Sequence, residues 1–504
     1  MSRAAGIRTA LWWAIGLALL VAAAAATIRV PVYGDDFRLS QQAYDMFDGD
    51  LGKVLATAWK TGEQPNRFSP SGRFFAFAYH FLAHELAVNS GIGMHWFYRA
   101  GGFILLVLAV VAASALFVAA ARYIDPAANR IRLAPVFSGL SAGLAVTLQL
   151  HPWSHDPVLT ISEIGLMSSV LTFAFLALVF SLAETARLVI ALPLIAAMSV
   201  IGTTFYESFV AAVVAATLLW GWMLVRPRSA AERMRAVWFL IVGTLLPLVV
   251  FVGGRMYVAT LRLAPYSGTD LALTTSGFRP FGLILLGVVP GSAWPLSVEY
   301  AGGRLSLTFP AVAAGLAIAL LLAVGTVLAR REPALRLVLT RRGWTVAVVL
   351  GTLAVLTVAM HSFTEKYIAE LTRPGQIYLS YVLLALLALM SVLAAVLGIG
   401  RRRMVIALVL LPVAAGFAVV QQAVNWSVAE RAAVDNDANR YLTSISVRWE
   451  PNRQARCASL AEWADGKAWP AYYRAAVVNG INHNYERDFG VPFCADVPDA
   501  RQPE

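Results

Sequence analysis

The chain has 504 residues, 59% of them hydrophobic and 14% charged, with a formal net charge of +11 and a mean hydropathy of +0.67. Apolar runs of about 18–22 residues recur, and each is long enough to cross the hydrocarbon core of a bilayer as a helix. This composition excludes a soluble globular protein. The basic residues lie in short connectors between the apolar runs, where they set membrane topology, so we do not expect nucleic acid as a partner.

The apolar runs predict an all-α polytopic membrane protein with about eleven transmembrane helices. Arg3 and Arg8 precede the first run and predict a cytoplasmic N-terminus. A cleaved signal peptide is the alternative for this first run, but its apolar part is longer than such peptides usually have. An odd number of spans then places the C-terminus outside. The predicted spans are residues 11–27, 97–121, 133–150, 164–182, 188–205, 209–225, 236–254, 307–329, 344–360, 378–397 and 404–420.

The long connectors on the outer side also contain apolar residues. In the first outer loop, residues 31–96, the stretches 39–60 and 74–88 have the mixed pattern of helices that lie on the membrane surface. A later outer stretch, 281–300, is interrupted by Pro and Gly, and we interpret it as re-entrant or interfacial.

The end of the chain is polar and predicts a separate unit. We divide the sequence into a transmembrane domain, 1–421, and a small outer-face domain, 422–504. The two cysteines of the chain, Cys457 and Cys494, both lie in this tail. An even pair in an exported segment predicts a disulfide, whereas in a cytosolic tail the same residues would be two free thiols.

Acidic and imidazole side chains gather in the predicted outer loops, and the adjacent Asp35 and Asp36 follow the first span directly. Like charge and partial burial raise the pKa of one carboxyl in such a pair, which suits a general base. The pair could instead supply oxygen ligands to a divalent cation such as Mg²⁺ or Mn²⁺. A third alternative is structural: Asp36 could cap the helix that follows.

A second outer loop carries His151 and Asp156, with Glu163 close behind. A histidine with carboxylates could bind a metal, but the spacing is irregular, and a histidine that is simply satisfied at the interface is the alternative. We include His151 and Asp156 among the candidate substrate-binding residues.

Three short motifs stand out: Gly34-Asp-Asp-Phe-Arg38, Ser71-Gly-Arg73 and the Phe205-Tyr-Glu207 turn. They resemble motifs of integral-membrane glycosyltransferases of the GT-C superfamily, in particular of bacterial glucosyltransferase-type proteins that decorate surface polysaccharide such as lipopolysaccharide. The resemblance implies a GT-C-like fold in the bacterial inner membrane. It implies transfer of a sugar from a polyprenyl-phosphate carrier to a cell-surface glycan or lipid-linked acceptor. A first-loop aspartate, Asp35 or Asp36, would be the base.

A donor of this kind has a phosphate leaving group, which requires cations. The candidates are Arg38, Arg67 and Arg73 in the first loop and Lys366 and Arg373 in a later outer loop. Each could instead be an anchor whose charged head reaches the interface.

The Tyr206–Glu207 turn sits at the end of an apolar run, where an acidic residue indicates function. We expect Glu207, with Tyr206, to contact sugar hydroxyls; the alternative is that Glu207 only marks the turn.

Two other functions remain open at this point. A transporter or flippase of a polyprenyl-linked glycan would place ionisable residues at mid-bilayer, whereas the predicted spans are almost free of charge. A polysaccharide polymerase or ligase would share most of these features. The sequence has no convincing Walker motif or Gly-rich phosphate loop. A nucleotide-sugar donor would need a soluble domain on the inner side, which the predicted topology lacks, and this favours a lipid-linked donor.

Overall fold

The structure is a computed structural model. It describes residues 3–45, 50–61, 63–64, 67–125, 128, 131–151, 156–183, 187–227, 229–261, 272, 274–305, 307–329, 340–376, 379–398, 403–465 and 471–494. Nearly all of these residues are helical. Among them, one antiparallel pair of two-residue strands, β1 (Glu63–Gln64) and β2 (Arg67–Phe68), forms the regular β-structure.

The described part of the chain contains twenty-one α-helices. In the first third they are α1 (Arg3–Ala24), α2 (Gly34–Asp45), α3 (Leu51–Thr61), α4 (Pro70–Ser90), α5 (Met94–Ile124), α6 (Leu133–Thr147) and α7 (Ser162–Leu182). In the middle they are α8 (Leu188–Phe205), α9 (Val210–Val225), α10 (Ala230–Leu240), α11 (Leu246–Thr260), α12 (Phe278–Gly287), α13 (Trp294–Tyr300) and α14 (Phe309–Ala329). The last are α15 (Arg341–Ser362), α16 (Glu365–Glu370), α17 (Tyr381–Gly398), α18 (Arg403–Asp435), α19 (Asp437–Ile445), α20 (Arg453–Asp465) and α21 (Ala471–Phe489).

Nine helical segments in the described residues are long and apolar enough to cross a membrane. They are built on α1, α5, α7, α8, α9, the continuous α10–α11, α14, α15 and α18. The protein is therefore an all-α polytopic membrane protein, as the sequence predicts. The other two predicted spans, 133–150 and 378–397, correspond to the shorter apolar helices α6 and α17.

Helix α6 ends before the predicted span does, because side chains from other helices bind the backbone that follows it. The Gln149 N–H donates to the Tyr381 hydroxyl at 3.0 Å. The Asn425 side chain accepts from the Leu150 N–H at 3.0 Å and donates to the Leu148 carbonyl at 3.0 Å. Non-helical backbone is tolerated among spans when it is buried and satisfied in this way.

Helix α18 continues well beyond the predicted span 404–420 and ends at Asp435. The proposed domain boundary between residues 421 and 422 therefore lies inside a helix and not in a linker. The polar residues Gln421 and Asn425 suggested the end of a span, but both are buried. Gln421 accepts from the Trp294 indole at 2.8 Å and donates to Asn425 at 3.0 Å.

The first loop forms three helices, and this differs from the prediction. The expected surface helix 39–60 is two helices, α2 and α3, of which α2 begins earlier, at Gly34. The expected helix 74–88 is the longer α4. The stretch 281–300 falls in two short helices, α12 and α13, with turns between them.

The tail packs on the first loop. A buried cluster joins Phe37 of α2 and Ala87 of α4 to Trp463, Val477 and Tyr485 of the tail helices. The rings of Phe37 and Trp463 lie 5.4 Å apart. The tail and the first loop thus share one buried core, and α2 lies between the helical bundle and the tail.

Candidate functional site

The two aspartates occupy the first turn of α2, but their environments are opposite. The Asp35 side chain is 44% exposed and lies 3.4 Å from the Arg38 guanidinium. Asp36 is 3% exposed, and its Oδ1 accepts a hydrogen bond from the Ile161 N–H at 2.9 Å. Asp36 therefore connects α2 to the start of α7 instead of capping its own helix.

Asp36 belongs to a buried cluster that three helices form together. Its carboxylate from α2, the His80 imidazole from α4 and the Glu163 carboxylate from α7 offer ligand-type atoms that all lie within 4.8 Å of one another. His80 Nε2 and Glu163 Oε1 are 3.6 Å apart. His80 and Glu163 are fully buried. Both residues stand in outer segments of the predicted topology, but nothing in their spacing indicated that they meet Asp36.

The electrostatics of the cluster follow from its burial. Burial lowers the pKa of His80 to about 4, against the opposite effect of Asp36 and Asp35, so the imidazole is neutral at pH 7. Burial also raises the pKa of Asp36 well above its ordinary value, and the neighbouring Glu163 raises it further. The cluster thus presents a neutral nitrogen ligand next to a carboxyl that is hard to ionise without a positive partner.

Arg99 holds together the two segments that carry the carboxylates. This buried residue of α5 donates to the carbonyls of Val30 at 3.0 Å and Pro31 at 2.7 Å, before α2, and of Leu159 at 2.6 Å, before α7. Sequence reasoning missed it, although a charged residue near the start of an apolar span is a signal of use. Between Leu159 and α7, Ile161 has φ 46°, a left-handed conformation that a β-branched residue adopts only under constraint.

The predicted phosphate-binding cations fall into two groups. Arg38 pairs with Asp35 and interacts electrostatically with His80, and Arg73, half-buried near the start of α4, interacts electrostatically with Glu163. Lys366 is half-buried on α16 and interacts with a residue of its own helix. Arg373 forms a 2.8 Å ion pair, mostly exposed, with Glu299. Arg67 lies in β2, and its side chain is outside the described residues.

The Tyr206–Glu207 turn follows α8 as predicted, with Glu207 half-buried in a 3₁₀ turn. Tyr206 is 9% exposed and stacks on His361 with ring centres 6.4 Å apart. It lines a cavity of about 10 Å³, the space of one water, next to Ile164 and Ser168 of α7. Tyr206 therefore lies beside the helix that carries Glu163.

His151 and Asp156, which the sequence predicts to bind substrate, contact each other and the backbone of their own loop. Both are fully buried. The Asp156 carboxylate accepts from the His151 backbone N–H at 2.7 Å and lies 3.0 Å from His151 Nδ1. It also accepts from the N–H groups of Val158 at 2.7 Å and Leu159 at 3.0 Å. With its oxygens bonded in this way, Asp156 stabilises the turn that leads to Ile161.

The candidate site thus combines an exposed carboxylate, two nearby arginines and a buried set of nitrogen and oxygen ligands. No family model, curated protein or solved structure matches this chain. Its chemistry is therefore inferred from these residues and their geometry.

The predicted disulfide is confirmed. Cys457 of α20 and Cys494 after α21 are bonded, with Cα atoms 5.0 Å apart and a separation of 37 positions in the sequence. The bridge ties together the part of the tail that covers α2.

Side chains from that tail bind the first loop directly. The Tyr473 hydroxyl donates to the Gly34 carbonyl at 2.5 Å, and its ring lies 5.5 Å from the Arg38 guanidinium. Asn484 donates to the Gln41 carbonyl at 2.8 Å. These contacts hold the first residue and the second half of α2, so the tail fixes the helix that presents Asp35 and Asp36.

Proposed function

We propose that this protein is a membrane glycosyltransferase that moves a sugar from a polyprenyl-phosphate carrier to a cell-surface glycan or lipid-linked acceptor, with Asp35 as the general base. One observation carries the choice of base: the Asp35 side chain is 44% exposed, whereas Asp36 is buried, with 3% of the whole residue exposed. Of the two, Asp35 can meet an acceptor hydroxyl within hydrogen-bond distance, which a general base requires. The resemblance to GT-C enzymes supports the same reaction.

The proposed reaction is a single displacement in which the proton and the leaving phosphate each have an acceptor or a binding partner. The acceptor oxygen forms a bond to the anomeric carbon as the bond from that carbon to the carrier phosphate breaks. The hydroxyl proton passes to Asp35, and the phosphate leaves on the lipid. Arg38 and Arg73 would bind that phosphate, since guanidinium groups bind phosphate oxygens through paired hydrogen bonds.

A lipid-linked donor also needs room for its hydrocarbon chain. A cavity of about 980 Å³ lies among α5, α12, α15 and α17, lined almost throughout by apolar side chains such as Phe117, Val288 and Leu384. Ligand cavities commonly measure about 300–1,000 Å³. A cavity of this size and lining suits part of an isoprenoid chain. We place the reaction on the outer face of the bacterial inner membrane, with the N-terminus cytoplasmic and the C-terminus outside.

The test is sugar transfer by the purified full-length protein in liposomes. Polyprenyl-phosphate hexoses and pentoses are supplied one at a time with a panel of surface-glycan and lipid-linked acceptors, and products are identified by mass spectrometry. Asp35→Asn is compared with Asp50→Asn, an exposed first-loop aspartate whose carboxylate accepts from the Gly52 N–H at 2.7 Å. A general base contributes roughly 10²–10⁴-fold, so Asp35→Asn should lower turnover by about 100-fold or more, and Asp50→Asn should not.

Two results would contradict the proposal. Full turnover by Asp35→Asn removes the assigned base. Movement of intact donor across the bilayer, without any glycosidic product from any donor and acceptor, assigns the protein to transport instead.

A further inference from the structure

The cluster of Asp36, His80 and Glu163 has the composition of a metal site. One nitrogen and two carboxylate ligands come from three different helices and converge within 4.8 Å. The borderline ion Zn²⁺ takes imidazole together with carboxylate, and the harder Mn²⁺ also accepts a mixed set of this kind, whereas Mg²⁺ and Ca²⁺ prefer oxygen ligands alone. The ligand set therefore indicates a transition-metal ion.

Three of the buried ligand atoms have no hydrogen-bond partner among the described residues: His80 Nε2, Glu163 Oε1 and Glu163 Oε2. Buried polar atoms are almost always paired, so such a group requires an explanation. The 3.6 Å between His80 Nε2 and Glu163 Oε1 is too long for a hydrogen bond. Two ligands at roughly 2.0 Å from a tetrahedral ion stand about 3.3 Å apart, so this spacing fits two ligands of one ion.

The surroundings orient the ligands as they do in metal sites. The other imidazole nitrogen, His80 Nδ1, lies 2.5 Å from the Tyr98 hydroxyl. When Nδ1 carries the proton and donates it to Tyr98, Nε2 presents its lone pair to the carboxylates, and metal-bound histidines are usually fixed by such a partner. Asp36 is fixed by the Ile161 N–H, and Arg99 holds the segments before both carboxylate-bearing helices.

We propose that Asp36, His80 and Glu163 bind one divalent transition-metal ion, Zn²⁺ or Mn²⁺, which fixes α2 to α4 and α7. Because the three ligands are 0–3% exposed, the ion is enclosed by protein and acts by position: it sets the direction in which α2 presents Asp35. The ion neutralises buried carboxylate charge and satisfies the three unpaired atoms. This binding does not depend on the reaction proposed above.

The test measures metal in the purified full-length protein. The protein is stripped with a chelator and dialysed, and Zn²⁺, Mn²⁺, Mg²⁺ and Ca²⁺ are then returned separately, with bound ion counted by mass spectrometry and affinity measured by calorimetry. The absorption spectrum of the Co²⁺-loaded protein reports nitrogen and oxygen ligation directly. Glu163→Gln and His80→Gln remove one ligand each.

The matched control is His84→Gln. His84 is a second buried histidine, one turn further along α4, and it lies 3.1 Å from Asp488 of the tail. Wild type and His84→Gln should bind about one Zn²⁺ or Mn²⁺ per chain, and both ligand variants should bind it at least 100-fold more weakly. Elution as a single folded species on size exclusion, checked for each variant, separates loss of a ligand from loss of fold.

Three results would overturn the proposal. They are no transition-metal binding by folded wild-type protein, unchanged affinity in both ligand variants, and equal affinity for Mg²⁺ or Ca²⁺. In the first case the carboxylates share a proton instead of an ion. None of these results decides whether sugar transfer occurs, and an inactive wild-type protein that still binds one ion would leave the metal site standing.

Discussion

Replacing Arg99 with methionine should destabilise the segments before α2 and α7, because the Arg99 guanidinium donates hydrogen bonds to three carbonyls in these two segments. Methionine has a similar length but donates no hydrogen bond. The bonds to Val30, Pro31 and Leu159 measure 3.0, 2.7 and 2.6 Å. Each such bond contributes about 1 kcal/mol net, and bonds to charged groups contribute roughly 1.5–3 kcal/mol.

Burial of the guanidinium in the wild-type protein costs desolvation free energy, and the methionine variant avoids this cost. We therefore use the lower value, about 1 kcal/mol, for each bond. The three bonds then sum to about 3 kcal/mol, lost from the free energy of unfolding of Arg99→Met. Arg99→Lys keeps the charge but lacks the planar fork. We expect it to lose about half as much.

The measurement is reversible unfolding in mixed micelles, with SDS as denaturant and tryptophan fluorescence as the signal. Hydrogen exchange then locates the change, which should appear as faster exchange in residues 28–36 and 157–163. If Arg99→Met unfolds within 0.5 kcal/mol of wild type, or if these two segments keep their protection, Arg99 does not hold the site in the way described.

Three further predictions concern the tail and the cations. Reducing the Cys457–Cys494 disulfide, which closes a loop of 37 residues, should lower the stability of the tail by about 4 kcal/mol; equal protease resistance of reduced and oxidised protein would contradict this. Tyr473→Phe removes the hydrogen bond to the first residue of α2 and should cost about 1 kcal/mol in the SDS assay, whereas a loss under 0.3 kcal/mol would show that the bond contributes little. Arg73→Ala should weaken binding of a polyprenyl-phosphate sugar about tenfold or more, and Arg373→Ala, which breaks a mostly exposed ion pair, should not; equal effects of the two changes would remove the special role of Arg73.

Hydropathy predicted the bundle because the length of an apolar run is a direct requirement of the bilayer. It failed where polar residues are buried. Gln421 and Asn425 read as the end of a span, yet they lie inside α18 and bond Trp294 and the backbone after α6. A hydropathy value contains no information about such partners, so the end of α6 and the continuity of α18 could not be predicted.

The candidate site, like the fold, could be predicted from the sequence only in part. The sequence singled out Asp35 and Asp36 because they are adjacent and follow a span, whereas it grouped Glu163 with His151 and Asp156 and gave no reason to select His80. Their meeting depends on how α2, α4 and α7 pack, which the spacing does not encode. His151 and Asp156 were predicted to bind substrate from residue type alone, and the structure shows that backbone N–H groups donate to the Asp156 carboxylate.

The contact between Tyr473 and Gly34 joins residues 439 positions apart, and this separation has a consequence for biosynthesis. At roughly 5–20 residues per second, a ribosome needs about 20 to 90 s to reach Tyr473 after it has made Gly34. During that interval the nascent α2 lacks the tail helices that pack against it in the folded protein. A nascent chain stalled before residue 471 should therefore remain protease-sensitive around residues 34–45, and a pulse-chase with limited proteolysis would detect the moment at which protection arrives.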